Sequence, residues 1–191
     1  MKYLRWCTNM VLLHTPRLVL RDFRADDWRA VHAYASDPEV TRYMSWGPND
    51  ETASQAFVQA VMAGQNADPR QNYDLAITLK DNGKLIGGCG IYRRKFREGE
   101  MGYCLHRSYW SQGYMTEAAG ALLEFAFTVE DYHRVYATCD PENIGSARVM
   151  EKIGMQREGH LRANMLKGSQ WRDSLLYAIL DWEWQELRGK A

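Results

Sequence analysis

Trp110-Ser111-Gln112-Gly113-Tyr114-Met115-Thr116-Glu117 is the stretch on which the reading of this chain turns. Glu100-Met101-Gly102-Tyr103-Cys104-Leu105 runs into it as a strand, and Thr116 to Val129, rich in Ala, Leu and Phe, leaves it as a helix. A glycine-containing loop that opens a helix presents backbone N–H groups with no intrahelical partner. With the positive end of the helix dipole, those groups suit an anion such as a pyrophosphate. Gly113 lets a ligand approach the main chain with no Cβ in the way. The stretch is not a Walker loop, because G-x-x-x-x-G-K-[ST] is absent. Its single glycine does not make the dinucleotide fingerprint either. Taken alone, it reads as an anion site or as a plain strand-to-helix turn.

A second stretch, Asp140-Pro141-Glu142-Asn143-Ile144-Gly145-Ser146, follows a β-branched and aromatic strand over Arg134 to Cys139. A helix from Ser146 to Ile153 comes next, with Gly154 as its C′ residue. Asn143 caps that helix or offers its amide to a ligand. Ser146 adds polarity to the first turn or a hydroxyl for chemistry.

Further out, Leu18-Val19-Leu20-Arg21 reads as a strand opened by Pro16, and Ala25 to about Tyr34 as a helix with acidic residues at its start. A short helix begins at Asp37-Pro38-Glu39 and is broken by Trp46-Gly47-Pro48-Asn49. Glu51 to Met62 is amphipathic. Strands over Asp74–Leu79 and Lys84–Tyr92 flank the Asp81-Asn82-Gly83 turn. Gly87, Gly88 and Gly90 weaken the second of these, or mark a bulge or a close backbone approach. Arg93 to Gly99 is a charged loop. The tail gives strands over about Gln156–Leu166 and Asp173–Leu180, joined by Lys167-Gly168-Ser169. Trp182 and Trp184 read as packing residues. The result is one α+β domain, a mixed and mostly antiparallel sheet of about seven strands flanked by helices.

Length and composition agree with one domain: 191 residues, 46% apolar and 25% charged. Lys plus Arg total 24 and Asp plus Glu total 24, so neither a general nucleic-acid binder nor a polybasic membrane-surface protein is expected. No apolar run is long enough for a membrane span or a signal-peptide core. Cys7, Cys89, Cys104 and Cys139 form no C-x-x-C pair and fit a reducing cytoplasm. His14, His32, His106, His133 and His160 lack paired metal-ligand spacing, so no metal is expected. Residues 1–9 read as a loose extension, with Met10 as an alternative start.

Together the two polar stretches resemble the GNAT superfamily of acyl-CoA-dependent N-acyltransferases, and within it the RimJ/RimL branch. The resemblance runs from Thr15-Pro16-Arg17-Leu18-Val19-Leu20-Arg21 to the last strand. It rests on Glu100-Met101-Gly102-Tyr103, on Tyr109 to Ala118, on Asn143-Ile144-Gly145-Ser146 and on Glu151-Lys152-Ile153-Gly154-Met155, in that order. It implies an N-terminal extension over residues 1–14 and an acyltransferase domain over 15–191. Acetyl-CoA is the implied cosubstrate. Main-chain amides of Gln112, Gly113, Tyr114, Met115 and Thr116 are expected around its pyrophosphate. Cys104 and Leu105 are expected to supply backbone partners for the pantetheine arm, and Asn143 to bond that arm. Trp110 stands where the family's loop has Gln or Arg, and Met115 where it has a small residue, which bears on the loop's shape.

The implied reaction moves an acetyl group to a primary amine within a ternary complex. The acceptor is an α-amine of a protein N-terminus or of an amino-acid-like molecule. The alternatives are a detoxifying transferase of a polyamine, aminoglycoside or aminoacyl nucleotide, and a catalytically silent CoA sensor. An α-amine of pKa ~7.7–8.0 costs about 1 kcal/mol to deprotonate at neutral pH, whereas a lysine at ~10.4 costs about 4.6 kcal/mol. Glu100 is the candidate base and Ser146 the candidate acid, because Met150 stands where many relatives have an acid tyrosine. Tyr103 is an alternative acid and, with Trp46, a candidate for the acceptor pocket. Dimers are common in this branch, and the sequence leaves the oligomeric state open.

Overall fold

The computed structural model describes residues 10–189. The extension expected over residues 1–9, with Cys7 in it, lies outside the described residues. The strands are β1 (Leu12–His14), β2 (Leu18–Asp22), β3 (Asn72–Leu79), β4 (Leu85–Arg93), β5 (Glu98–Leu105), β6 (Arg134–Cys139), β7 (Gln156–Lys167) and β8 (Gln170–Leu180). The helices are α1 (Trp28–Ala35), α2 (Pro38–Thr41), α3 (Glu51–Gln65), α4 (Tyr114–Thr128), α5 (Ile144–Lys152) and α6 (Asp181–Gly189). Among the described residues the strands form one eight-stranded sheet in the order β1-β2-β3-β4-β5-β6-β8-β7. All neighbours pair antiparallel except β5 and β6, which are parallel. The expected α+β class holds.

Two elements were not anticipated. β1 is three residues long, too short for a periodic signal, and forms because Leu13 buries to 2% exposure while the Val11 N–H donates to Asp22 Oδ2 at 3.0 Å. It lies inside the stretch expected to precede the domain. α6 begins where β8 ends, with Asp181 and Glu183 in its first turn and the Leu180 N–H donating to Glu183 Oε2 at 2.9 Å. Of its two tryptophans, Trp184 packs on Phe127 with ring centroids 5.4 Å apart, but Trp182 is exposed, so it does not pack as expected. The charged loop after β4 is also shorter than expected, since β5 starts at Glu98.

The sheet separates two apolar layers. α4 and α5 cover one face, where Ile77, Ile91, Met101, Leu105, Leu122 and Met150 are buried together. α1 and α3 cover the other, where Phe23, Val31, Tyr34 and Val58 pack against Ala76, with Cys104 beside them. Burying each large side chain fully contributes about 1.5–3 kcal/mol. Alternation along β5 therefore sends odd-numbered side chains toward α4 and α5, and even-numbered ones toward α1 and α3. The glycines of β4 mark close approaches. A Cβ on Gly87 would overlap the Cys104 carbonyl oxygen, and one on Gly90 would lie 2.7 Å from the Tyr92 hydroxyl.

The β7–β8 hairpin folds over the sheet edge onto α2. Lys167 Nζ donates to the Thr41 and Arg42 carbonyls, and Arg172 Nη1 donates to the Arg42 carbonyl at 3.0 Å. Burial, and the charge of Arg172, push the Lys167 ammonium below its usual pKa.

Candidate active site

The β5–β6 ladder runs only from Glu98↔Arg134 to Glu100↔Tyr136, although β5 continues to Leu105 and β6 to Cys139. Beyond Glu100 and Tyr136 the two strands part, and the sheet has an opening. The His106 N–H donates to the Ile86 carbonyl at 2.9 Å, on the β4 side. Strand alternation then turns the main-chain groups of Tyr103 and Leu105 toward the opening, and those of Cys104 toward β4. The contact of Gly87 with the Cys104 oxygen agrees. Of the two residues expected to meet an extended arm, Leu105 faces the opening and Cys104 does not; Tyr103 joins Leu105. The Leu105 carbonyl already accepts from Trp110 Nε1 at 2.7 Å.

The Gly113 loop stands at the end of β5. Gly113 is the N-cap of α4 at φ 79°, with no side-chain cap. The first helical hydrogen bond is from the Glu117 N–H to the Gly113 carbonyl, 3.0 Å, so the N–H groups of Tyr114, Met115 and Thr116 precede the ladder. Ser111 is also left-handed at φ 59°, a conformation that costs a non-glycine residue about 1 kcal/mol or more. Gln112 is exposed, and its Nε2 donates to the Ser108 carbonyl at 2.8 Å. The Met115 side chain is buried in the core at 7% exposure, so only its main chain is available at the loop. An uncapped first turn with a glycine at its lip fits a diphosphate.

A clamp that the sequence did not reveal holds this loop. The Glu117 carboxylate accepts from Thr15 Oγ1 at 2.5 Å, from the Arg17 N–H at 2.8 Å and from Arg17 Nε at 2.6 Å. Arg17 Nη1 donates to the Gln112 carbonyl at 3.0 Å, and the guanidinium lies 4.3 Å from the Tyr114 ring centre. Burial alone would raise the Glu117 pKa, but these donors and the Arg17 charge hold it below the usual carboxylate range.

Glu100 and Ser146 belong to opposite faces of the sheet. Glu100, on the α1–α3 face, sits beside Tyr136 across the last parallel pair and opposite Tyr92 on β4. Arg94 Nη2 and Nε donate to Glu100 Oε2 at 2.6 and 3.0 Å, and the Tyr136 hydroxyl donates to the same oxygen at 3.3 Å. The two charged side chains are 44% and 34% exposed, so their ion pair contributes about 1 kcal/mol or less. On the same face, the Tyr92 hydroxyl crosses Gly90 to donate to Asp74 Oδ1 at 2.6 Å. Burial pushes the Asp74 carboxyl above its usual range, against that hydrogen bond. Arg94, Tyr136, Tyr92 and Asp74 were not singled out in the sequence; strand pairing brings the last three to the face of Glu100, and the β4–β5 connection brings Arg94.

On the other face the Tyr103 hydroxyl lies 3.0 Å from Ser146 Oγ and 3.1 Å from the Ser146 carbonyl oxygen. Burial raises the phenol's pKa, so it keeps its proton at neutral pH. Asn143 caps α5 through Oδ1, which accepts from the Ser146 N–H at 3.1 Å. Met150 is wholly buried in the core layer beneath α4 and α5. Cys104 is driven by burial up to a pKa of about 12, far from a thiolate nucleophile. Trp46 is 37% exposed in the segment after α2, the segment on which the β7–β8 hairpin rests.

Known proteins match this architecture. The model of the acetyltransferase (GNAT) domain matches residues 17–156. The uncharacterized N-acetyltransferase YnaD of Bacillus subtilis is 42% identical over 172 residues, 89% of this chain and 97% of its own length. The [ribosomal protein uS5]-alanine N-acetyltransferase of Escherichia coli is 28% identical, covering 91% of this chain and 93% of its own. The crystal structure of a GNAT-family acetyltransferase from Bacillus anthracis superposes with a TM-score of 0.80 at 35% identity, covering 90% of this chain and 99% of that one.

Proposed function

This chain belongs to the GNAT acetyltransferase family and is an acetyl-CoA-dependent N-acetyltransferase, and from that premise we propose that its acceptor is an α-amine, of a protein N-terminus or of an amino-acid-like molecule. The observation that carries the reading is the opening beyond Glu100 and Tyr136, with Glu100 on one face of the sheet and the Tyr103–Ser146 pair on the other. The relative that acetylates an alanine of a ribosomal protein supports the α-amine class.

In this reading the amides from Gln112 to Thr116 and the α4 dipole hold the pyrophosphate of CoA. The N–H groups of Tyr103 and Leu105 line the pantetheine arm, and Asn143 offers its remaining amide hydrogens to it. Acetyl-CoA supplies a thioester carbonyl. Glu100 takes a proton from the acceptor's ammonium group, directly or through water, so that the nitrogen can bond to the acetyl carbon as the carbon–sulfur bond breaks. Ser146 Oγ, backed by the Tyr103 hydroxyl, donates to the departing sulfur. The weak base demand of an α-amine, about 1 kcal/mol, suits a carboxylate that is already ion-paired. Trp46 and the hairpin tip form the acceptor's outer wall. Free thiols at Cys89, Cys104 and Cys139 accord with a cytoplasmic site of action.

The test is thiol release from acetyl-CoA against amino acids, N-terminal peptides, polyamines and aminoglycosides, with mass spectrometry of the products. Acetylated α-amines are expected. Turnover confined to polyamines or aminoglycosides points to a detoxifying enzyme, and tight CoA binding without turnover to a sensor.

A further inference from the structure

Three arginines lie in and beside the β4–β5 connection, and two of them fasten it. Arg93 Nη2 donates to the Glu130 carbonyl at 3.1 Å and pairs with its carboxylate at 3.3 Å. Arg97 donates through Nε to the Asp131 carbonyl at 2.7 Å and pairs with Asp131 Oδ1 at 2.6 Å. Between them the chain turns through left-handed Phe96 and Arg97, at φ 58° and 62°. Arg94 is bound differently. Its own N–H is held by the Glu98 carbonyl at 2.7 Å, but its guanidinium turns to β5 and ends on Glu100 Oε2. Nη1 donates to the Arg93 carbonyl at 3.3 Å, and the guanidinium lies 5.9 Å from the Tyr92 ring centre.

That arrangement constrains the acceptor. Arg94 Nη2, Arg94 Nε and the Tyr136 hydroxyl all converge on one oxygen of the candidate base. An ammonium group arriving there alone meets a cation already in place, and like charges repel. A zwitterion brings both charges of the pair with signs reversed. Its ammonium goes to Glu100 and its carboxylate to Arg94, with no change in net charge. A guanidinium accepts such an exchange readily, because its fork matches any carboxylate.

We propose that Arg94 determines acceptor specificity: it leaves Glu100 for the carboxylate of a free α-amino acid, and this exchange opens Glu100 to the acceptor's ammonium. The inference rests on the acetyl-transfer reading above and selects the free amino acid over the protein N-terminus within it.

The experiment compares a set of L-amino acids, L-alanine among them, with their amides and with peptides of the same first residue. It measures turnover and also binding, by competition, to the CoA-saturated protein. The natural sequence is expected to favour at least one free amino acid over its amide by about tenfold or more in KM. Arg94→Ala should abolish that ratio by raising KM for the carboxylate-bearing acceptor, and Arg94→Lys should restore part of it. Amides or peptides used as well as the free acids, or a preference that survives Arg94→Ala, overturn the proposal while leaving acetyl transfer standing. If CoA binds but no amine is turned over, the transfer reading fails, and the binding competition still decides the role of Arg94. If acids, amides and peptides all fail to bind, both readings are overturned.

Discussion

The Tyr103 hydroxyl and Ser146 Oγ stand 3.0 Å apart on the face of the sheet opposite Glu100. The opening between β5 and β6 begins just past Glu100, with the two candidate proton-handling groups on opposite faces of the sheet. Ser146→Ala should slow the chemical step about 10²-fold with little change in acetyl-CoA binding. Tyr103→Phe should slow it less. Single-turnover acyl transfer measures both, and full activity in Ser146→Ala removes it as the acid.

Glu100→Gln preserves the size and hydrogen-bonding reach of the side chain but not its basicity. Turnover should fall by ~10²–10⁴, most at low pH where the acceptor is fully protonated. Calorimetry should find the affinity for CoA unchanged. A pH–rate profile identical to that of the natural sequence rules out Glu100 as the base.

Gly113 adopts φ 79°, and a Cβ there would lie 3.4 Å from Arg17 Nη2. Gly113→Ala should cost about 1 kcal/mol through backbone strain and weaken CoA binding modestly. Gly113→Trp should abolish binding by filling the lip of the loop. Equal CoA affinity in Gly113→Trp rejects the pyrophosphate assignment.

The Thr15–Arg17–Glu117 clamp predicts a pH dependence of stability. The folded pKa of Glu117 is lowered, so its contribution is fully present above the ordinary carboxylate value of about 4.3 and is lost as pH falls through the lower folded value. Glu117→Gln should therefore destabilise the fold at neutral pH and flatten its loss below about pH 4. Thermal unfolding across that range checks this, and an unaltered acid limb refutes it. Arg17→Ala, which frees the Gln112 carbonyl, should also weaken CoA binding.

The resemblance implies an acid tyrosine at position 150, where this chain has Met150, 0% exposed in the core. Met150→Tyr should cost about 1–3 kcal/mol by overpacking and should not raise activity. Denaturant unfolding measures the first effect and steady-state turnover the second. A stable, faster variant shows that position 150 reaches the opening.

Much of the fold was legible because its elements carry local signals. Asp81-Asn82-Gly83 turns the β3–β4 hairpin, with Gly83 at φ 70°. Alternation marks β5, and Ala-rich periodicity marks α4. β1 escaped because three residues show no period, and α6 because its tryptophans read as packing rather than as a helix face. The Gly113 loop was legible as a helix start for the same local reason, although taken alone it read as an anion site or as a plain turn, and its left-handed φ of 79° came only with the structure. The candidate base and acid were found through the resemblance, but their surroundings were not. Tyr136 and Asp74 reach the Glu100 face through the register of strands far apart in the chain, and Arg94 reaches it from the β4–β5 connection six residues away.

By itself the sequence determined the order of most strands and helices, the helix-opening loop with its unpaired amides, and the balance of charge over the whole chain. Those properties depend on neighbours in the chain. Only the tertiary structure decided where the sheet parts, which face each candidate group occupies, and that Glu100 is held by Arg94. Arg17 meets Glu117 across 100 residues, and Tyr103 meets Ser146 across 43. Such contacts are made by the parallel register of β5 and β6 and by α4 and α5 packing on one side of it. A period of two or of 3.6 residues carries no record of them.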